Sequence, residues 1–170
     1  MIIGHLPAGY LAARRLFPHF DAPGVTCKRF LWGGALGAIA PDLDMLYFHL
    51  ADHRMHHHHT YFTHFPLFWI ALLLLSVCWL HMKRAPAAVL ALIFSINGML
   101  HLMLDTIVGD IWWLAPFVDR PFSLFTVPAL HQPWWLNFIL HWSFALELAI
   151  VLLAMLTWQR DRLALRKVPS

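Results

Sequence analysis

Residues 86–108 read PAAVLALIFSINGMLHLMLDTIV, an apolar run long enough to cross the hydrocarbon core of a bilayer as a helix. Three polar residues interrupt it, Asn97, His101 and Asp105, each four positions after the last. On a helix that spacing stacks them along one face. A carboxylate inside a span costs about 3 kcal/mol on the lowest scale, so Asp105 calls for a reason. A ring nitrogen and a carboxylate one turn apart can hold one metal ion or orient one another. A His–Asp hydrogen bond joining two helices is the plainer alternative. At membrane depth the working role is the better account. This stretch predicts a membrane helix with one polar, functional face.

The rest of the chain agrees with a membrane setting. Of its 170 residues, 60% are hydrophobic and only 12% charged, with nine Trp and thirteen Phe. A soluble domain carries about 25% charged residues, so this chain has too few to cover its surface. The expected class is an all-α integral membrane protein forming a single domain over residues 1–170. The net charge of +3 comes from basic residues clustered between apolar runs, which suits membrane flanks. Nucleic-acid binding wants a continuous basic face with exposed aromatics, so no nucleic-acid partner is expected. Cys27 and Cys78 are far apart and form no CxxC pair, which makes free thiols the expectation. No cleavable signal is expected, because the first residues lack a basic region and His5 breaks the apolar start.

Toward the amino terminus, residues 65–82 form another apolar span that stops at Lys83 and Arg84, with His81 an interfacial residue beside them. Before it lies HLADHRMHHHHTYFTH, residues 49–64, which holds seven of the thirteen histidines. Imidazole binds zinc, iron, copper and nickel, and it titrates near neutrality. The four-histidine run sits inside this longer pattern and does not read as a purification tag. Phe30 to Leu50 is apolar but broken. Gly33, Gly34 and Gly37 favour close helix packing, and Ala40-Pro41-Asp42-Leu43-Asp44 follows. Proline removes a backbone donor and pushes the preceding residue out of helical angles. A capped helix start with an acidic first turn explains one of the two aspartates and not both. Residues 18–29 read as a polar loop, and residues 1–17 as a short helix with His5 near its start and Pro7 in its first turn.

Toward the carboxyl terminus, residues 109–133 form a long loop dense in Trp and Phe, expected to be an interfacial cap over a site. Residues 134–158 are the last span. His141 and Glu147 within it are six positions apart and do not share a helix face, so they are no ligand pair. Glu147 is an acid at depth and is expected to face the bundle interior. A basic tail closes the chain.

Basic loop residues mark the cytoplasmic side of a membrane protein. Threading the spans alternately puts Arg14, Arg15, Lys28, Arg29, Lys83, Arg84, Arg160, Arg162, Arg166 and Lys167 on one side, with Arg54 and Arg120 opposite. The fold expected is a bundle of four to five membrane helices with a broken Gly-rich PDLD segment and a long outer aromatic loop. Its carboxyl terminus lies in the cytoplasm. The same threading brings the 49–64 tract, His5, Asp42, Asp44, His101 and Asp105 to the outer face. Only Lys and Arg set that orientation, so the gathering of the acids and histidines is independent of it. It points to a metal site there.

An early His, PDLD after a Gly-rich run, HTYFTH, then HLMLD and a proline after an aromatic stretch together resemble the YdjM-like family. That family is described as LexA-binding, inner-membrane-associated metal-dependent hydrolases. The resemblance runs from His5 to about Pro121. It implies His5, Asp42, Asp44, His59, His64, His101 and Asp105 as metal-site residues, with Asp42 and Asp44 also in the catalytic role. It also implies a bacterial inner-membrane location, with the site facing the periplasm. The family often carries Arg after the first His of the third motif and Ser after the second; here Thr60 and Phe65 stand there, with His56, His57 and His58 as extra histidines. Nothing in these residues supports a LexA contact. By a weaker analogy the pattern is similar to zinc-dependent phospholipase C enzymes.

The activity expected is hydrolysis of a phosphoester on a lipid or lipid-like substrate, using a divalent metal, zinc first, with manganese or iron as alternatives. Asp105 is a candidate bridge between two ions, and Asp42 and Asp44 share the ligand and proton-acceptor roles without being ranked. A di-iron oxidase is the runner-up, because residues 53–57 (HRMHH) match an HxxHH box. A non-enzymatic metal or proton handler is the third reading, since intramembrane Asp, His and Glu also build ion pathways.

Overall fold

The computed structural model describes residues 1–20, 22 and 24–166. Asp21 and Pro23 of the expected loop, and Lys167 of the expected basic tail, lie outside the described residues. Among the described residues there are seven α-helices and no strand: α1 (His5–Leu16), α2 (Cys27–Ile39), α3 (Asp44–Leu50), α4 (Pro66–Met82), α5 (Pro86–Asp105), α6 (Trp135–Leu140) and α7 (Trp142–Arg166). Prolines start α4 and α5, where the missing N–H would be unpaired in any case. Thr26 caps α2 by accepting the N–H of Arg29, so that helix begins inside the expected loop. The break between α2 and α3 falls at Ala40–Pro41, where a short 3-10 turn (Pro41–Leu43) carries Asp42.

Two helices are long and apolar enough to cross a membrane, α5 and the Trp142–Ala164 part of α7, and α4 is a shorter apolar helix. With α1 at 12 residues and α2 at 13, the expected four or five spanning helices reduce to two by length and composition. The expected last span from residue 134 is interrupted. His141 is extended and ends α6, and α7 starts afresh at Trp142.

α5 is the centre of the fold and packs against α1, α2 and α4, while α7 packs against α1. Close approach to α2 depends on Gly37, where a Cβ would come within 2.2 Å of the Phe94 carbonyl oxygen. Close approach to α4 depends on Gly98, where a Cβ would meet the buried Trp69 ring at 2.0 Å. Asn97 is fully buried and donates to the Gly9 carbonyl of α1 at 3.0 Å, so it holds helices together. At one end of α5, Ala13, Ala22, Phe30, Val89 and Ile93 form an apolar core. That end also carries Lys83 and Arg84 just before the helix and the Arg14–Asp161 pair between α1 and α7. About 30 Å along the α5 axis, at 1.5 Å per residue, its other end carries Asp105.

Candidate metal centre

His101 and Asp105 on α5 are both buried, as the four-residue stripe requires. The His101 ring donates from Nδ1 to the carbonyl oxygen of Ala38 at 2.7 Å, which the tight α2–α5 packing brings within reach. In the neutral ring this leaves the lone pair on Nε2. That nitrogen lies 3.0 Å from Asp105 Oδ2 and 3.5 Å from Asp42 Oδ1. A lone pair facing carboxylate oxygens is repelled unless a metal ion stands between them or a proton sits on Nε2 itself. His5, at the start of α1, stacks on His101 with ring centroids 3.7 Å apart, and its Nε2 is 3.0 Å from Asp105 Oδ1. The amino group of Met1 also pairs with Asp105.

The broken segment separates its two aspartates. Asp42, in the 3-10 turn, points Oδ1 toward His101 and, at 3.9 Å, toward Nε2 of His64. Asp44, the first residue of α3, is buried behind His64 and accepts from its Nδ1 at 2.6 Å and from the Thr63 hydroxyl at 2.6 Å. Asp42 thus faces the centre and Asp44 orients a histidine that faces it. Sequence alone left these roles unranked. Partners of this kind typically govern metal affinity by about 10–100-fold. We therefore expect Asp44→Asn to weaken metal binding by about that factor without unfolding the chain. Competition with a chelator of known affinity measures it, and unchanged binding would remove Asp44 from the site.

The histidine tract folds into two 3-10 turns, His58–Thr60 and Phe62–His64. Trp69 of α4 pins the second by donating to the Thr63 carbonyl at 2.7 Å. His59 donates from Nδ1 to the Asp110 carbonyl at 2.9 Å, and its Nε2 lies 3.6 Å from Asp105 Oδ2. His64 Nε2 lies 3.9 Å from the same oxygen. Three histidines thus follow one plan: Nδ1 is tied to an acceptor behind the ring and Nε2 is aimed at Asp105. The Nε2 atoms of His64 and His101 are buried without a hydrogen-bond partner among the described residues. Burial, with neighbouring histidines adding to it, lowers His58 to about 4; burial lowers His59 to about 2, against the opposing charge of Asp105. Both are neutral at pH 7, the form that binds a metal.

These donors suit a divalent cation. Four donors about 2.1 Å from a tetrahedral zinc stand about 3.4 Å apart, within the 3.0–3.9 Å spread around Asp105 Oδ2. Three overlapping sets are close enough to hold an ion: His5, His101 and Asp105; Asp42, His64 and His101; and His58, His59 and His64. The first two hold only residues expected from the sequence; the third adds His58, which a run of four identical residues could not single out. Beside the centre lies a cavity of about 570 Å³ whose walls include Asp42, His58, Asp105, Asp110, Val127, Trp134 and Phe138. Its described lining has no Lys or Arg side chain. The 109–133 loop contributes to it through Asp110, Ser123, Thr126 and Val127, folding back by a bridge between Ile111 and Phe122.

The family model for the YdjM inner membrane protein matches residues 1–165 of this chain. The chain belongs to the YdjM family. No curated protein and no solved structure matches it. Membership agrees with the apolar helices, and together they place this YdjM-family chain in a membrane.

Other histidines of this YdjM-family chain stand apart from the centre. His56 is exposed and pairs with Asp52 at 2.7 Å, a hydrogen bond that holds the Asp52 carboxyl down at about 2. His49 accepts from Arg54 at 3.1 Å, and His53 adopts a left-handed backbone at φ 50°. The residue 53–57 box therefore sends none of its histidines into the three donor sets. Glu147 does face the interior, and its role is one that sequence spacing missed. Its Oε2 accepts the N–H groups of Ile2, Ile3 and Gly4 at 2.8, 2.6 and 3.0 Å, fixing the segment that leads into His5.

Proposed function

We propose that this YdjM-family chain is a membrane-bound metal-dependent hydrolase that cleaves a phosphoester of a lipid or lipid-like substrate. The observation that carries this reading is the pair of buried, unpartnered nitrogens of His64 and His101, aimed at Asp42 and Asp105 beside the cavity. A phosphate entering that cavity meets Asp42, Asp105 and Asp110, with no Lys or Arg side chain among the described walls, and the Met1 amino group there is already paired with Asp105. Carboxylates alone would repel it, and a cation at the centre inverts that field. When bound, a divalent metal acidifies water toward neutrality and offsets charge on phosphoryl oxygens. Zinc suits the mixed nitrogen and carboxylate donors, with manganese or iron as alternatives.

In this scheme His59, His64 and His101 are ligands through Nε2, with His5 and Asp105 completing the set. Asp42 is the most exposed of the central acids, its side chain 43% accessible, and it borders the cavity. It is the group placed to take a proton from an attacking water. Asp44 holds His64 in the tautomer that presents Nε2. The apolar walls formed by Val127, Trp134 and Phe138 suit an acyl chain next to a headgroup. The orientation expected from Lys and Arg places this end of the bundle at the periplasmic face of a bacterial inner membrane, with the shorter helices α1, α2 and α4 completing a multi-pass bundle.

The test is turnover. Detergent-purified protein, prepared without a metal-binding tag, is assayed on a panel of phosphorylated lipids before and after chelation and after return of zinc, manganese or iron. Release of phosphate or a phosphorylated headgroup, lost on chelation and restored by one metal, is the expected result. Stoichiometric metal without turnover on any phosphoester would leave a metal-handling protein in its place.

A further inference from the structure

The three donor sets share members, and that sharing has a chemical meaning. His64 belongs both to the outer set with His58 and His59 and to the inner set with Asp42 and His101. An imidazole Nε2 has one lone pair, so His64 can serve only one ion at a time through it. The outer and inner sets are therefore successive positions for an ion, connected through His64.

The histidines also form a graded path. His57 is exposed, His58 half-buried, and His59 and His64 are buried. Their rings adjoin one another, with centroids 5.2 Å apart for His57 and His58, 4.0 Å for His58 and His59, and 4.6 Å for His59 and His64. From His64 the next ring is His101, at 5.5 Å. His57 and His58 both line the cavity. His57 accepts the His59 N–H at Nδ1, and His59, His64 and His101 are each tied at Nδ1, whereas the His58 ring has no hydrogen-bond partner among the described residues. A ligand that is untied and half-exposed can bind an ion from solution and release it inward. A divalent cation gives up its water reluctantly, and replacing water by nitrogen one ligand at a time avoids a bare intermediate.

We infer that His58 is an entry ligand that captures a divalent cation at the cavity and passes it, by way of His59 and His64, to His101 and Asp105. This rests on the metal-centre reading above. The ion keeps its charge throughout; water leaves as nitrogen arrives, and His58 is released as His101 binds.

Loading kinetics test it. Full-length protein in detergent is stripped with a chelator and mixed with cobalt(II), whose visible absorption reports its ligands, or with zinc and a fluorescent indicator. The variants are His58→Gln and His58→Ala, with His81→Ala as a control far from the site. An outer partner of a ligand is worth about 10–100-fold in affinity and a direct ligand no less, so loading should slow by at least about tenfold. Release to a chelator should slow equally, since the same path runs backward. Final stoichiometry should match the wild type. Unchanged rates overturn the entry site, and so does a lower final stoichiometry, which would make His58 a permanent ligand. A wild type that binds no metal overturns the metal centre as well. Normal loading kinetics in the wild type, slowed in the variants but without phosphoester turnover, would sink only the hydrolase reading.

Discussion

Replacing His101 by alanine is expected to strip the centre of its metal. His101 Nε2 is the nitrogen nearest Asp105 Oδ2, at 3.0 Å, and it belongs to two of the three donor sets. Its loss leaves Asp42 and Asp105 without their shared nitrogen, and removes the ring on which His5 stacks. Partners one shell out typically change metal affinity by about 10–100-fold, so a direct ligand should cost more than about 100-fold. Asp105→Asn should act as strongly, because Asp105 faces His5, His59, His64 and His101 together. Elemental analysis of purified protein reads the result, with His81→Ala as the comparison. His81 lies near the end of α4 beside Lys83 and Arg84, remote from Asp105, and should keep its metal. Equal metal in all three proteins would overturn the centre. Two irons per chain in the wild type would favour oxidase chemistry instead.

Gly37→Ala should be a strongly damaging small substitution. In an exposed helix interior, alanine in place of glycine gains about 1 kcal/mol. Here the added Cβ falls 2.2 Å from the Phe94 oxygen and 2.8 Å from its carbonyl carbon and Cα. Those are backbone atoms of α5, which cannot rotate away. The helices must separate, and overpacking of this kind costs about 3 kcal/mol at the upper end of its usual range. The sign of the effect is thus opposite to that of helix propensity. The next residue, Ala38, supplies the carbonyl that fixes His101, so a shift of α2 also loosens the metal ligand. A lower unfolding midpoint together with weaker metal binding is the expected pair of results. Gly4→Ala is the control, since a Cβ there meets only ordinary contacts at 3.4 Å and beyond. If Gly37→Ala were as stable as the control, the described α2–α5 packing would be wrong.

How much of this was legible in sequence depends on the range of the interaction concerned. The α5 stripe was readable because helical period alone puts Asn97, His101 and Asp105 on one face, and all three are buried. The break at Ala40–Pro41 was readable because proline removes a backbone donor, but the expected departure of Ala40 from helical angles is not found, since it stays at φ −61°, ψ −37°. The division of labour between Asp42 and Asp44 was not. Two residues apart in a tight 3-10 turn, they diverge by a direction that only the turn's own geometry sets. The acceptors behind His59 and His101 were hidden for another reason, since both are backbone carbonyls, which every residue has. Helix length was also overread. Apolar composition continues through Met1–Gly4, but Glu147 captures the N–H groups there and α1 starts only at His5.

That grip of Glu147 on residues 2–4 spans more than 140 positions of chain, with separations of 143 to 145. A ribosome makes the amino-terminal segment first and α7 last. His5 therefore cannot be locked over His101 until nearly the whole polypeptide has emerged and the final long helix has taken its place. A half-made chain holds the histidine tract and Asp105 of α5 but lacks the clasp on the segment before His5. A truncated chain lacking α7 should therefore leave the segment before His5 unheld.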